Sequence, residues 1–165
     1  MPGRGCRAKW IGNEGKDMSM FLGIDAAASG LTAERLRMDV ISNNIANANT
    51  TRTAQGGAYH RRFVVFEPRE VSGGAFSSFL QKAANKLQAG DGVRAVGIES
   101  DPSQGPLVYD PGHPDANAQG YVERPNVNIV AEMVDMITAS RAYEANTTTV
   151  NAAKSMVTKA LDMGK

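Results

Sequence analysis

Two apolar stripes, one near each end of the chain, constrain its fold more than anything else in the sequence. In the first, Ile24, Leu31, Met38 and Ile45 recur every seven residues, with Ala27, Ala28, Ile41 and Ala48 beside them. In the second, Ile129, Met136, Tyr143, Val150 and Val157 keep the same step, with Met133, Ala139, Ala153, Ala160 and Leu161 in neighbouring positions. That step puts side chains on one face of an α-helix, so helices are predicted over residues 24–48 and 127–161. Asp25 suits the positive end of the first helix dipole. The polar run Asn47-Ala48-Asn49-Thr50-Thr51 competes for backbone hydrogen bonds and ends that helix. Pro125 marks the entry to the second helix, Asn126 or Asn128 is its cap, and Gly164 follows its last periodic residue.

Between the stripes, residues 55–124 are punctuated by glycine and proline. Short β-like runs are expected at 59–67, 93–99 and 106–110, with 120–123 as a partner strand. Residues 76–88, flanked by glycines, read as either a short helix or a mobile insertion spanning 72–91. The expected fold class is mainly α with a small β-containing middle. The N- and C-terminal helices pair as a coiled-coil-like inner domain (20–54 plus 125–165), and 55–124 forms a central region of strands and loops.

The first residues look foreign to the rest. Arg4, Arg7 and Lys9 have no apolar segment behind them, so no secretory signal peptide of the usual form is expected. Purine-rich codons fit residues 14–17 and resemble a ribosome-binding site, so Met18 or Met20 is the expected natural start and 1–19 a non-native or disordered extension. Dropping residues 1–17 removes four basic and two acidic groups and moves the formal charge from +1 to −1. Neither value signals nucleic acid or an anionic membrane.

The remaining composition narrows the function further. Cys6 is the only cysteine, so neither an intrachain disulfide nor a cysteine metal cluster can form. No apolar run is long enough to span a bilayer. His113 lies between Asp110 and Asp115 among prolines, too few ligands for a metal site, and is expected to shape a turn. Tyr59-His60-Arg61-Arg62 has the look of a phosphate patch but is expected to be a solvated face or an inter-subunit salt bridge. Thr147, Thr148 and Thr149 have no base to activate them. No catalytic residue, cofactor, metal or small-molecule substrate is expected, and the chain is not read as an enzyme.

Val130, Val134 and Ile137 spread apolar surface onto a second face of the C-terminal helix. Helices patterned this way either join neighbours in an assembly or bury themselves on a small sheet in a monomer. A third reading is an adaptor whose helices bind a different partner.

The residues themselves favour the first reading. Ser42-Asn43-Asn44-Ile45-Ala46-Asn47-Ala48-Asn49-Thr50 resembles the signature near the N-terminus of bacterial flagellar rod, hook and hook-associated proteins. Residues 121–151 are similar to the C-terminal signature of the same family. Tyr109-Asp110-Pro111-Gly112-His113-Pro114-Asp115-Ala116, with Pro125-Asn126-Val127-Asn128, looks like its proximal-rod branch. The resemblance covers 20–161 apart from 72–91. It implies a structural rod subunit whose terminal helices form an inner tube around an export channel while the middle faces outward. It also implies other rod proteins and copies of itself as partners, with the flagellar export apparatus as a transient one. The location implied is the basal-body rod outside the cytoplasmic membrane, reached without a cleaved signal peptide.

On that resemblance the expected subunit interface comprises Ile24, Leu31, Met38, Ile41, Asn43, Asn44, Ile45 and Asn47 of the first helix. From the second it takes Ile129, Met133, Met136, Tyr143, Asn146, Val150 and Val157. The asparagines are assigned to register between adjacent subunits, as buried polar residues do in coiled coils; Asn151 is a further candidate. The terminal helices are expected to be largely disordered in the free monomer, where each lacks its neighbours.

Overall fold

The computed structural model describes residues 17–54, 56–69 and 92–164, with side chains from residue 23 onward. Of the expected extension (1–19), residues 1–16 lie outside the described residues and 17–19 belong instead to the first helix; the expected insertion at 72–91 also lies outside them. Helix α1 spans Asp17–Ala46 and helix α2 spans Ile129–Met163. Between them run β1 (Arg62–Pro68), β2 (Val93–Ser100), β3 (Leu107–Tyr109) and β4 (Tyr121–Glu123). The expected order of elements is therefore present: a helix at each terminus and short antiparallel strands between.

Each helix ends where its polar residues take over the backbone. At the end of α1, the Asn43 and Asn47 amides donate back to the carbonyls of Asp39 and Asn43 at 3.1 and 2.9 Å. Thr50 then donates to the Asn47 side chain at 3.2 Å, closing the turn. At the start of α2, Asn128 is the cap: its side-chain oxygen accepts the N–H groups of Val130 and Ala131. Asn126, the other expected cap, is committed elsewhere. Gly164 does follow the helix and donates its N–H to Leu161, but its φ of −88° is not left-handed.

Strands β1 and β2 form an antiparallel ribbon running from Arg62 opposite Ser100 to Pro68 opposite Val93, with an irregularity between Val65 and Phe66. The first expected strand began at residue 59; Tyr59 and His60 instead belong to the approach to β1. Strands β3 and β4 pair antiparallel through Val108 and Val122, and the Tyr109 and Tyr121 rings meet edge to face with centroids 5.3 Å apart. The ribbon lies against α1, where the Ser29 hydroxyl accepts the Val93 N–H at 3.0 Å and the Arg37 guanidinium sits 4.8 Å from the Phe66 ring centroid. Gly92 is needed there. Its φ is +103°, and a Cβ would fall 2.2 Å from the Ser29 hydroxyl.

Helices α1 and α2 pack on each other more extensively than any other pair of elements. Two contacts fix their antiparallel register. Asn44 bonds Glu132 at 3.0 Å. Fourteen residues back along α1 (44 − 30), a Cβ on Gly30 would come within 2.8 Å of Asn146, fourteen residues on from Glu132 (146 − 132).

The most deeply buried seam differs from the stripe of largest apolar residues. In α1 the buried residues are Ala27, Ala33, Val40, Ile41 and Asn44, while Ile24, Leu31, Met38 and Ile45 are half-buried on the adjoining flank. In α2 the buried residues are Glu132, Ala139 and Ala153. Small residues let two helix backbones approach closely, and the bulkier side chains are displaced to the sides of the contact. Periodicity reports which face is apolar; it does not report which part of that face is narrow enough to sit at the centre.

Candidate subunit interface

Asn44 and Glu132 are the two largest fully buried side chains, at 1% and 0% exposure. Burying an amide and a carboxylate is costly unless every polar atom finds a partner. Here every one does. The Asn44 amide donates to the Arg62 carbonyl at 2.7 Å and to Glu132 Oε2 at 3.0 Å. Its oxygen accepts from the Tyr59 hydroxyl and from the Arg62 N–H, both at 3.0 Å. Glu132 Oε1 accepts from Arg61 Nε at 2.5 Å, and the same guanidinium reaches Asp135 at 3.2 Å. The Arg61 N–H donates to Asn126 Oδ1 at 2.6 Å, and the Asn126 amide donates on to Ser103. One polar knot thus ties α1, the approach to β1, the β2–β3 connection and α2 together.

Its electrostatics follow from the geometry. The Glu132 hydrogen bond holds the Arg61 pKa above that of a free guanidinium, against the opposing effect of burial. Burial raises the Tyr59 pKa; nearby Arg62 lowers it and Glu132 raises it again. Arg62 also stacks its cation 5.7 Å from the Tyr59 ring centroid.

The knot corrects two sequence expectations. Asn44 was assigned to contacts between subunits, but it is buried inside its own chain with its hydrogen-bonding capacity filled there. Arg61 was expected on a solvated face or in an inter-subunit pair, and it is bound within the chain to Glu132 and Asp135. Asn43 and Asn47 bond their own helix end and remain partly accessible. Asn146 is half-buried against Gly30, and Ile41 is buried within the chain. Sequence reading missed Tyr59, Arg61, Asn126 and Glu132. A signal was present for Glu132, which continues the seven-residue step of Ala153, Asn146 and Ala139.

Other expected interface residues stand differently. Ile129 and Met133 are exposed, Tyr143 is at the margin of exposure, and Met136, Val150 and Val157 are half-buried. Val130, Val134 and Ile137 are exposed at 70, 55 and 54%. With Met133 they form an apolar face on the first turns of α2 that the described part of the chain leaves uncovered.

The residues considered for chemistry are used structurally. His113 Nδ1 accepts the Asp115 N–H at 3.1 Å, and Asp115 accepts the Thr51 hydroxyl at 2.9 Å, pinning the turn to the end of α1. Thr147, Thr148 and Thr149 each donate to the carbonyl four residues earlier. Among the described residues no group of side chains could hold a metal ion, and no helix is long and apolar enough to cross a membrane.

Comparison with known proteins gives two family matches. Residues 24–52 match the family described as "Flagella basal body rod protein", and residues 118–163 match "Flagellar basal body rod FlgEFG protein C-terminal". The flagellar basal-body rod protein FlgC of Borreliella burgdorferi is 51% identical over 148 residues, covering 87% of this chain and 97% of that protein. FlgC of Bacillus subtilis is 46% identical over 153 residues, covering 90% of this chain and all of that protein. FlgC of Salmonella typhimurium is 36% identical over 148 residues, with 90% of this chain and all of that protein covered.

Proposed function

This chain belongs to the FlgC family of flagellar basal-body rod proteins, and from that premise we propose that it is a proximal-rod subunit whose terminal helices pair as a coiled-coil-like inner unit. It is a structural subunit of the rod of the bacterial flagellum. In this reading residues 20–54 and 125–165 form the inner layer around the export channel, and residues 55–124 face outward. Neighbours are other rod proteins and further copies of the chain. The export apparatus delivers it outside the cytoplasmic membrane without a cleaved signal peptide. It carries out no catalytic step and holds no cofactor.

The observation that carries this reading is the uncovered face of α2. Val130, Met133, Val134 and Ile137 are each more than half exposed although they open a long, well-capped helix. Full burial of one such side chain contributes roughly 1.5–3 kcal/mol, so neighbours covering this face would stabilise an assembly considerably. Ile24, Leu31, Met38 and Ile45, half-buried on α1, supply a second apolar flank for the same purpose, with Asn43 and Asn47 at its end. Many such contacts loaded together resist shear, which is what a drive shaft transmitting torque needs. Until neighbours arrive, the terminal helices are largely disordered.

Deleting the gene tests the reading. Basal bodies that retain their membrane rings but lack a completed rod and hook, with swimming restored by the intact gene, are the expected result. Normal flagella after deletion would leave the fold standing and favour an adaptor role.

A further inference from the structure

We propose that the Asn44–Glu132 contact selects the sliding register of α1 against α2, a choice that the small-residue seam alone leaves open. The inference concerns the fold of one chain and holds whatever that chain assembles with.

The seam repeats every seven residues on both helices. Along α2 the step runs through Glu132, Ala139, Asn146 and Ala153, and along α1 through Gly23, Gly30, Arg37 and Asn44. In the observed register Asn146 occupies the space that Gly30 leaves by having no side chain. Slide α1 by one step and Asn146 meets Gly23, another glycine, while Ala139 meets Gly30 and Glu132 meets Arg37. A Cβ built on Gly23 has nothing within 4 Å in the observed register, so Gly23 is not required there for space. The slid arrangement thus again sets Asn146 against a glycine and gives Glu132 a cation. Its penalty falls on the knot: Asn44 would lie opposite Pro125, ahead of the start of α2, without Glu132, and Arg61, carried with Asn44 through the Arg62 backbone, would lose Asn126 and Asp135. A slide the other way sets Asn146 against Arg37 instead of a glycine, so packing already opposes it.

Repeating seams are degenerate in register, and a single buried polar contact is the best-attested device for choosing among them. Asn44 fits that role because its remaining bonds, to Tyr59 and to the Arg62 backbone, hold it in place independently of α2. Replacing Glu132 therefore removes the selecting contact without dismantling the Asn44 side. In the observed register Arg61 keeps its pair with Asp135 after that replacement, and it is itself a third exposed, so its charge is not stranded there.

The test uses the full chain with Cys6 changed to serine and spin labels at two exposed positions, Ala28 and Lys159. Distances are measured in a stabilising osmolyte that brings both helices to full order. The parent should give one distance. Glu132→Leu should add a second population displaced along the helix by about 10 Å, the rise of seven residues. Glu132→Gln, which keeps size and a bond from Arg61 but turns a donor toward Asn44, should show the same second population at lower amplitude. Adding Gly23→Leu should abolish the second population, because Asn146 could no longer enter. A single parental distance in both Glu132 variants would overturn the proposal. So would loss of helix in both, since the contact would then be a stability element and not a selector.

Discussion

Asn44 and Glu132, 88 residues apart in sequence, share a 3.0 Å hydrogen bond between two side chains that are almost wholly inaccessible. One closes the end of α1 and the other opens α2, so the bond forms only when the two ends of the chain have come together. Through Tyr59, Arg61 and Arg62 it also sets where the β1–β2 ribbon begins. Pairing of the terminal helices and placement of the middle are therefore one event.

The three asparagines at the end of α1 should separate cleanly on substitution. Asn44→Ala leaves the Arg62 backbone and the Tyr59 hydroxyl without partners, at roughly 1–3 kcal/mol per stranded buried group, and should destabilise the chain by about 2–4 kcal/mol. Asn43→Ala and Asn47→Ala remove bonds within an accessible helix end and should cost about 0.5 kcal/mol or less each. Urea unfolding in osmolyte measures all three. In cells the Asn43→Ala, Asn47→Ala double variant should impair assembly more than helix content, and equal loss of both would defeat a role for these residues between subunits.

Two glycines seven residues apart should respond oppositely to leucine. Gly30→Leu drives a side chain into Asn146 and should cost about 1–3 kcal/mol as overpacking does. Gly23→Leu meets open space within a helix and should stabilise by about 0.5–1 kcal/mol through propensity. Thermal melts followed by helix signal distinguish them, and equal effects would contradict the close approach at Gly30.

These two comparisons also mark what was legible in the sequence. Helix positions, the four strands and the β3–β4 pairing could be anticipated because period and turn residues are local signals. The rotation of each helix about its axis could not. Leu31 and Met38 are larger and more apolar than Ala33, yet Ala33 is the buried one, because the depth of a seam depends on how closely a partner backbone approaches. For Glu132 the seven-residue step marked the position, but the residue type argued against a place in the core. A carboxylate enters the interior only with its partners, and here those come from residues 44 and 61, far away in sequence.

Stability should fall at both extremes of pH. The folded-state pKa of Tyr59 is raised, chiefly by burial, so its contribution is intact below the unfolded value of about 10 and is lost as pH rises through the folded value. Asp101 is the reverse. The Ser103 N–H, donating at 2.9 Å, lowers its pKa, so its contribution is present above the unfolded value of about 3.9 and is lost as pH falls through the folded one. Tyr59→Phe should flatten the alkaline arm of a stability–pH curve, and Asp101→Asn should flatten the acid arm. An unchanged arm in either variant would contradict its assignment.

The free subunit should show less helix than the paired arrangement requires, since α2 presents an apolar face with nothing on it. Circular dichroism at high dilution is expected to give reduced helicity that rises with osmolyte. Full helicity at high dilution would contradict this.

Photo-crosslinking in isolated basal bodies tests the uncovered face most directly. A benzoylphenylalanine at Val134 should leave swimming intact or weakened and capture neighbouring rod subunits on illumination, while the same group at the exposed residue Gln119, on the turn before β4, should capture them far less. Motile cells whose basal bodies yield no inter-subunit product from Val134 would contradict the assignment of this helix face to the interior of the rod.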